Sequence, residues 1–212
     1  MSLTPALLGE ILASYLKVFP HEKDELTLLA QQCADNDTQL FNRKNMRGHV
    51  CTSGLVLNEA QDKILFIHHK AMDFWMQPGG HYDETDTNLL DAAEREVREE
   101  TGITGLQLHP WHLVRAVPFD IHTHAIGPRP EKNEGEHFHH DHVFLLIAKD
   151  EAITLQAEEI SGARWIPLSE LHIYPGFRLR DRFLPKLKML GLNSYARIKR
   201  NDLPPENVAS LK

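Results

Sequence analysis

Apolar positions follow helical spacing at the start of the chain and later form runs of strand length. Residues 4–17 carry an apolar stripe at helical spacing, and residues 22–34 predict a second helix beyond Pro20. From residue 49 onwards the patterns favour strands, interrupted by a long helix rich in Ala, Leu, Glu and Arg. Strands are predicted at 50–57, 64–68, 113–118, 143–148 and 163–166, and further helices at 88–101 and 176–190. This mixture predicts an α/β fold.

The element boundaries divide the chain into three parts. Residues 1–45 are predicted to form a helical extension, residues 46–191 an α/β domain, and residues 192–212 a polar tail. The length of 212 residues suits one domain with an added extension. We therefore expect a single α/β domain rather than two.

Composition and charge exclude several classes of protein. The net charge of -7 is a poor match for sequence-independent nucleic-acid binding, which needs Lys and Arg against phosphate. The longest apolar run, residues 143–148, is too short to cross a membrane, and Glu10 interrupts the apolar N-terminal stretch. Cys33 and Cys51 cannot build a disulfide framework, which favours a reducing compartment. We therefore predict a cytoplasmic protein with neither nucleic acid nor membrane as partner.

The helix predicted at 88–101 concentrates negative charge. Glu96, Glu99 and Glu100 fall within about 100° of one another on the helix surface. Like charges at this spacing repel, and the C-terminal half of a helix disfavours anions. A solvated acidic face is one interpretation. A site for a hard divalent cation, which carboxylate oxygens bind, is the other, and the Gly79-Gly80 turn and acidic loop upstream favour it.

The stretch from Gly80 to Ile103 resembles the signature of the Nudix hydrolase superfamily, G-x5-E-x7-R-E-U-x-E-E-x-G-U with U apolar. Every specified position of its C-terminal half is matched. Two departures occur upstream: Asp86 stands where the family has glutamate, and one extra residue precedes Arg95. The role of Asp86 is therefore open, with Glu84 as the competing residue.

The resemblance implies an α/β/α sandwich around a mixed β-sheet, with the Nudix hydrolase domain at 46–191. It implies hydrolysis of a nucleoside diphosphate linked to another moiety, assisted by Mg²⁺ or Mn²⁺. Glu96, Glu99 and Glu100 would be metal ligands, and Arg95 would orient Glu99. Glu159, before a W-I-P strand, corresponds to a further catalytic glutamate of many relatives, with a surface-turn role as the alternative. Either Glu99 or Glu159 would accept the proton.

Histidine is the unusual residue of this composition. The chain has 14 histidines, and eight of them fall within residues 109–142. They form H-x-H spacings, with His122 and His124 in one segment and His137 and His139 in the other. Three interpretations stay open: solvated or core histidines, the lining of a substrate pocket, or a transition-metal site that combines His122 or His124 with His137 and His139.

A bacterial Nudix subgroup of undefined substrate is similar over nearly the whole chain. It shares a helical N-terminal extension, a G-H-x-x-x-S strand, a P-G-G-H turn and a D-I-H…H-x-H-x-D stretch. We predict that the substrate is bound by Gly80, His81, His122, His137, His139 and Trp75. Core packing is the alternative for Trp75, and Cys51 is expected to act as a small hydrophobic residue.

Two other functions compete with hydrolysis. One is a non-hydrolytic Nudix-fold module that binds a nucleotide or metabolite for regulation, and the other is a histidine-based transition-metal protein. The three helix carboxylates favour the hydrolase. Modified nucleoside triphosphates, nucleotide sugars and dinucleoside polyphosphates all stay open as substrates. The N-terminal helices are expected either to cap the pocket or to form a homodimer contact.

Overall fold

The computed structural model describes residues 3–130, 133–173 and 180–192. Within them the helices are α1 (Pro5–Val18), α2 (Thr27–Ala34), α3 (Leu89–Thr101), α4 (Trp111–Arg115) and α5 (Arg180–Met189). The strands are β1 (His49–Leu57), β2 (Lys63–His69), β3 (Phe74–Met76), β4 (Gly79–His81), β5 (Leu106–Leu108), β6 (Asp120–Ile126), β7 (His137–Ala148) and β8 (Ile160–Pro167). Residues 176–179 of the last predicted helix and 193–212 of the predicted tail lie outside the described residues.

The eight strands belong to one sheet, whose central order is β3-β2-β1-β7-β5. Strand β4 pairs with β1, β6 with β7, and β8 with β2. This mixed sheet and its helices confirm the predicted α/β fold, and α1 confirms an N-terminal helix. Among the helices described, none is long and apolar enough to cross a membrane.

The chain divides into two compact units that alternate along the sequence. The first comprises Met1–Ser53, Gly79–Glu96 and Val117–Phe144, and the second comprises Gly54–Pro78, Val97–Ala116 and Leu145–Lys212. Strands β1 and β7 and helix α3 contribute residues to both units. The predicted boundaries at 45 and 191 stay predictions.

Helix α1 of the first unit begins where its sequence supplies a cap. The Thr4 hydroxyl accepts a hydrogen bond from the backbone N–H of Leu7 at 3.2 Å, and Pro5 occupies the first turn. Its apolar stripe is buried at Leu8, Leu12 and Tyr15. The helix predicted at 22–34 is only partly regular, because two 3₁₀ turns precede α2.

The strands of the first unit alternate their side chains between two faces. In β7, His137, His139 and Asp141 share one face, and His140 and His142 lie on the other, as predicted. On that other face, Nδ1 of His140 lies 2.8 Å from the Thr123 hydroxyl, and its Nε2 donates to the side-chain oxygen of Gln32 at 2.9 Å. Pairing with α2 through Gln32 thus accounts for part of the histidine excess.

In the second unit, β2 and β8 form a long antiparallel pair. Their register extends from Lys63 opposite Pro167 to His69 opposite Ile160, with an irregularity at the His69 end. Strand β3 pairs with the other edge of β2. Helix α3 ends at Gly102, whose φ of 72° is the left-handed conformation predicted for its cap.

The strand predicted at 113–118 is wrong. The segment forms α4 and ends at Ala116, which has left-handed backbone angles. The apolar residues that suggested a strand are exposed: Leu113 is 38% exposed and Val114 66%. The buried residue is His112, whose Nε2 accepts the backbone N–H of Leu145 at 3.0 Å. The apolar residues of this segment predicted a buried strand, and the prediction failed because these residues are not buried.

Candidate active site

Arg95 connects the acidic loop to helix α3 within the first unit. Its guanidinium donates to both carboxylate oxygens of Asp86, each at 2.9 Å. It also donates to Oε1 of Glu96 and to the backbone oxygen of His81, each at 2.9 Å. The hydrogen bond to Asp86 raises the pKa of Arg95 further above its usual value. Such a two-pronged ion pair fixes the position of the guanidinium.

Asp86 is the loop carboxylate that this arrangement uses. Its side chain is only 5% exposed beside Arg95. Glu84, the competing residue, is exposed. The shorter carboxylate of Asp86 thus takes the place next to Arg95 despite the inserted residue. The predicted pairing of Arg95 with Glu99 stays a prediction.

Gly80 allows Glu96 to approach the backbone of β4. A Cβ atom at Gly80 would lie 2.6 Å from the carboxylate carbon and both carboxylate oxygens of Glu96. Real Cβ atoms essentially never approach other heavy atoms this closely, so a side chain there would displace the carboxylate. The glycine turn predicted from the sequence therefore makes room for a candidate metal ligand.

Three candidate ligands lie together in the second unit. Ligand atoms of Glu100, Glu159 and His69 all fall within 4.8 Å of one another. Glu100 is 3% exposed, while Glu159 is exposed. The pairing of His69 with Ile160 brings the preceding residue, Glu159, to the end of β2. Of these three, sequence reasoning missed His69, which only the strand register reveals.

The carboxylates of α3 differ in exposure. The Glu96 side chain is 14% exposed, Glu100 is buried, and Glu99 is exposed. A carboxylate buried as deeply as Glu100 needs neutralising partners. Hard divalent cations prefer oxygen donors of this kind, so these residues fit Mg²⁺ or Mn²⁺.

Part of the histidine excess forms a compact cluster in the first unit, which we call the histidine–cysteine cluster. Ligand atoms of His49, Cys51, His81 and His139 all lie within 4.8 Å of one another. The His49 ring centroid lies 5.1 Å from that of His81 and 4.6 Å from that of His139. The expectation that Cys51 is only a small hydrophobic residue is thus incomplete: it is buried, yet imidazoles surround its sulfur.

Burial keeps the groups of this cluster uncharged. It lowers the pKa of His49 and His139 and brings the pKa of His81 to about 3. Burial also raises the pKa of the Cys51 thiol well above its usual value. Neutral imidazoles offer a lone pair, which is the form that binds transition metals.

The remaining predicted histidines surround this cluster. His137 Nε2 lies 3.2 Å from His139 Nε2. The ring of His122 lies 2.8 Å from Asp120 and stacks on the exposed His124 with centroids 5.3 Å apart. Of the metal set predicted from sequence, His139 belongs to the histidine–cysteine cluster. His49 and Cys51 were missed, although their alternation on one strand was a usable signal.

Trp75 is placed on β3 in the second unit and is half-buried. The guanidinium carbon of Arg164 lies 4.8 Å from its ring centroid, a cation–π contact. The His68 ring packs edge-on against it with centroids 5.2 Å apart. Trp75 therefore keeps one part of its surface accessible.

The chain resembles known proteins in its family, its sequence and its structure. Residues 48–187 match the family model described as NUDIX domain. Phosphatase NudJ of Escherichia coli strain K12 is 35% identical over 78 residues, which cover 34% of this chain and 49% of that protein. The Shigella flexneri phosphatase NudJ matches to the same extent. The chain thus spans about half the length of the curated relatives it matches.

Two solved structures share the fold. A NUDIX family hydrolase from Clostridium perfringens superposes with a TM-score of 0.51 at 19% identity, covering 69% of this chain and 99% of that one. An Ap4A hydrolase from C. elegans, in a binary complex, gives 0.50 at 16% identity, covering 66% and 96%. At these identities the similarity concerns the fold alone.

Proposed function

Because the chain belongs to the Nudix hydrolase superfamily, we propose that it hydrolyses the pyrophosphate linkage of a nucleoside diphosphate derivative with Mg²⁺ or Mn²⁺. The observation that carries the proposal is the fixed position of Arg95 between Asp86 and Glu96. It aligns the Glu96 carboxylate beside Gly80 and so orders the first of the three glutamates proposed to bind the cation.

Three glutamates of α3 are proposed to hold the cation: Glu96, Glu99 and Glu100. A bound divalent ion would neutralise the anionic diphosphate, which a protein of net charge -7 otherwise repels. Arg95 holds Glu96 in place, and burial restricts the positions that the Glu100 carboxylate can adopt. The chain itself thus supplies rigid oxygen donors.

Glu159 is proposed to accept the proton of the attacking water. Glu99 is the other candidate for this role, but it is proposed to hold the cation, and a carboxylate bound to a cation is a weak base. Glu159 is exposed, and its carboxylate lies near that of Glu100, which is proposed to hold the cation. Its backbone oxygen accepts from the N–H of Lys70 at 2.8 Å, which steadies the loop that carries it.

Substrate contact is proposed for Gly80, which leaves the β4 backbone open, and for Trp75, which offers a ring face to a base. The predicted roles of His81, His122, His137 and His139 in substrate binding stay predictions. Three of these rings are buried, with His122 and His137 at 4% and His139 at 9% exposure. A homodimer contact by the N-terminal helices also stays a prediction.

The test is a panel of nucleotide sugars, dinucleoside polyphosphates and modified nucleoside triphosphates, assayed with Mg²⁺, with Mn²⁺ and with a chelator. We expect metal-dependent release of a phosphate-containing product from at least one class. Tight binding of a panel member without turnover in either metal would contradict hydrolysis and favour the regulatory nucleotide-binding module.

A further inference from the structure

The proposed hydrolysis leaves the histidine–cysteine cluster of His49, Cys51, His81 and His139 without a role. We propose that these four side chains form a zinc site, distinct in its nitrogen and sulfur donors from the carboxylates of α3. The proposal stands independently of the hydrolase activity. It assigns His81 and His139 to an ion rather than to a substrate.

The strand register brings the four ligands to one face. His49 and Cys51 are two residues apart on β1, so their side chains point the same way. His81 on β4 lies directly opposite Cys51 in the antiparallel pair. His139 on β7 completes the group. Ligands on regular strands are held more rigidly than ligands on loops, which suits a preformed ion site.

The hydrogen bonding of His49 leaves one ring nitrogen available as a ligand. Its Nδ1 lies 3.1 Å from the backbone oxygen of Asn45, and since a carbonyl only accepts, this nitrogen carries the proton. The lone pair is therefore on Nε2. His49 is 1% exposed, and among the described residues Nε2 has no hydrogen-bond partner. Leaving such a buried atom without a partner is unfavourable, and a bound ion would supply the missing partner.

The tautomer of His139 depends on the neighbouring ring of His137. Nδ1 of His137 lies 2.8 Å from the backbone oxygen of Gly135 and therefore donates. With its lone pair on Nε2, His137 accepts from Nε2 of His139, which lies 3.2 Å away. This leaves Nδ1 of His139 with its lone pair. Both imidazoles are thus fixed in tautomers that leave a ligand atom available.

The donor set and its spacing select the ion. Thiolate and neutral imidazole favour zinc-class ions over Mg²⁺, which prefers oxygen. In a tetrahedral zinc site the ligand atoms are separated by about 3.3–3.8 Å. The observed limit of 4.8 Å requires only small side-chain rotations to reach that spacing. Binding releases the Cys51 proton to solvent, and four protein ligands close the coordination shell, as in structural zinc sites.

The experiment uses full-length protein produced without a histidine tag or metal column. We expect stoichiometric zinc by elemental analysis. Replacement with Co²⁺ should give a tetrahedral ligand-field spectrum together with a thiolate-to-Co²⁺ charge-transfer band. Cys51→Ser should abolish that band and weaken zinc binding at least about 100-fold. The matched control is Cys33→Ser, because Cys33 is the other cysteine and is not in the cluster.

His81→Gln is the second variant, because its half-buried side chain is less critical to folding than that of Cys51. It should weaken zinc binding while His21→Gln, at an exposed site, does not. Folded wild-type protein that binds neither Zn²⁺ nor Co²⁺ stoichiometrically would overturn the proposal. So would a Co²⁺ spectrum without the thiolate band, or zinc binding that is lost in Glu100→Gln but retained in Cys51→Ser.

Discussion

Two clusters of candidate ligands, one in each unit, differ in donor chemistry and in exposure. Glu100, Glu159 and His69 combine oxygen and nitrogen donors, and Glu159 is open to solvent. The histidine–cysteine cluster has nitrogen and sulfur donors, and Cys51 and His49 are at most 5% exposed. The first composition suits an ion that must meet a substrate, whereas the second suits an ion that stays enclosed.

The two donor sets favour different classes of cation, because carboxylates favour hard ions whereas imidazole and thiolate favour zinc-class ions. Carboxylates carry charge and repel each other, so Glu100 and Glu159 call for a hard cation to balance them. Neutral imidazoles repel little, but their desolvated nitrogens require a partner. Each cluster therefore fits a cation that the other binds poorly, and variants should affect one without the other.

The largest effect is expected from Glu100→Gln. The substitution keeps the shape of the side chain but removes a buried charge proposed to hold the catalytic cation. We expect kcat on the best substrate to fall about 10²–10³-fold. Co²⁺ binding at the histidine–cysteine cluster should not change. Glu10→Gln, on the exposed face of α1, is the matched control. Near-normal kcat for folded Glu100→Gln would contradict the ligand assignment.

Arg95→Lys should have the next largest effect. Lysine keeps the charge but cannot donate to Asp86, Glu96 and the His81 carbonyl at once. We expect kcat to fall about 10–100-fold through loss of Glu96 positioning. The control is Arg98→Lys, on the exposed side of the same helix. If Arg95→Lys and Arg98→Lys changed kcat equally, the positive charge at residue 95 would matter and the several hydrogen bonds of its guanidinium would not.

Two neighbouring glycines allow activity and stability to be separated. Gly80→Ala should displace the Glu96 carboxylate and lower kcat about 10-fold, with little change in the free energy of unfolding. Gly79→Ala would instead place its Cβ 2.6 Å from the backbone oxygen of Thr52, so it should mainly lower stability. Kinetics and chemical denaturation of both variants check this. The reverse pattern would refute the account of Gly80.

Local patterns predicted the helix and its carboxylates well. Helix α3 follows from the spacing of Ala93 and Val97, both fully buried, and from Gly102 as its cap. The glycine turn next to Glu96 was also predictable, because turn and helix lie close in sequence. Asp86 pairs with Arg95 despite the extra residue between them, while its correspondence to the family's glutamate stays a prediction.

Contacts set by strand register could not be predicted in the same way. His69 meets Glu159 only because β2 and β8 pair along their full length. Cys51 meets His81 through the short pair of β1 and β4, and β4 has too few residues to show a strand pattern. The register of such pairs depends on burial across the sheet, which a single sequence does not reveal.

The pH dependence of the free energy of unfolding tests how well the histidines are buried, because a buried neutral imidazole is harder to protonate than an exposed one. Burial lowers the pKa of His142 from 6.5 to about 4. Between pH 4 and 6.5 the His142 ring binds a proton in the unfolded chain but not in the folded protein. The stability that this ring contributes is therefore fully present above pH 6.5 and is lost as the pH falls towards 4. We expect His142 to account for about 1 kcal/mol of this loss over the first pH unit.

Urea unfolding across this range should show a shallower pH dependence for His142→Gln, whose amide can still donate to the His140 carbonyl, than for the wild type or for His21→Gln. An unchanged pH dependence in His142→Gln would mean that this ring is protonated as readily in the folded protein as in the unfolded chain.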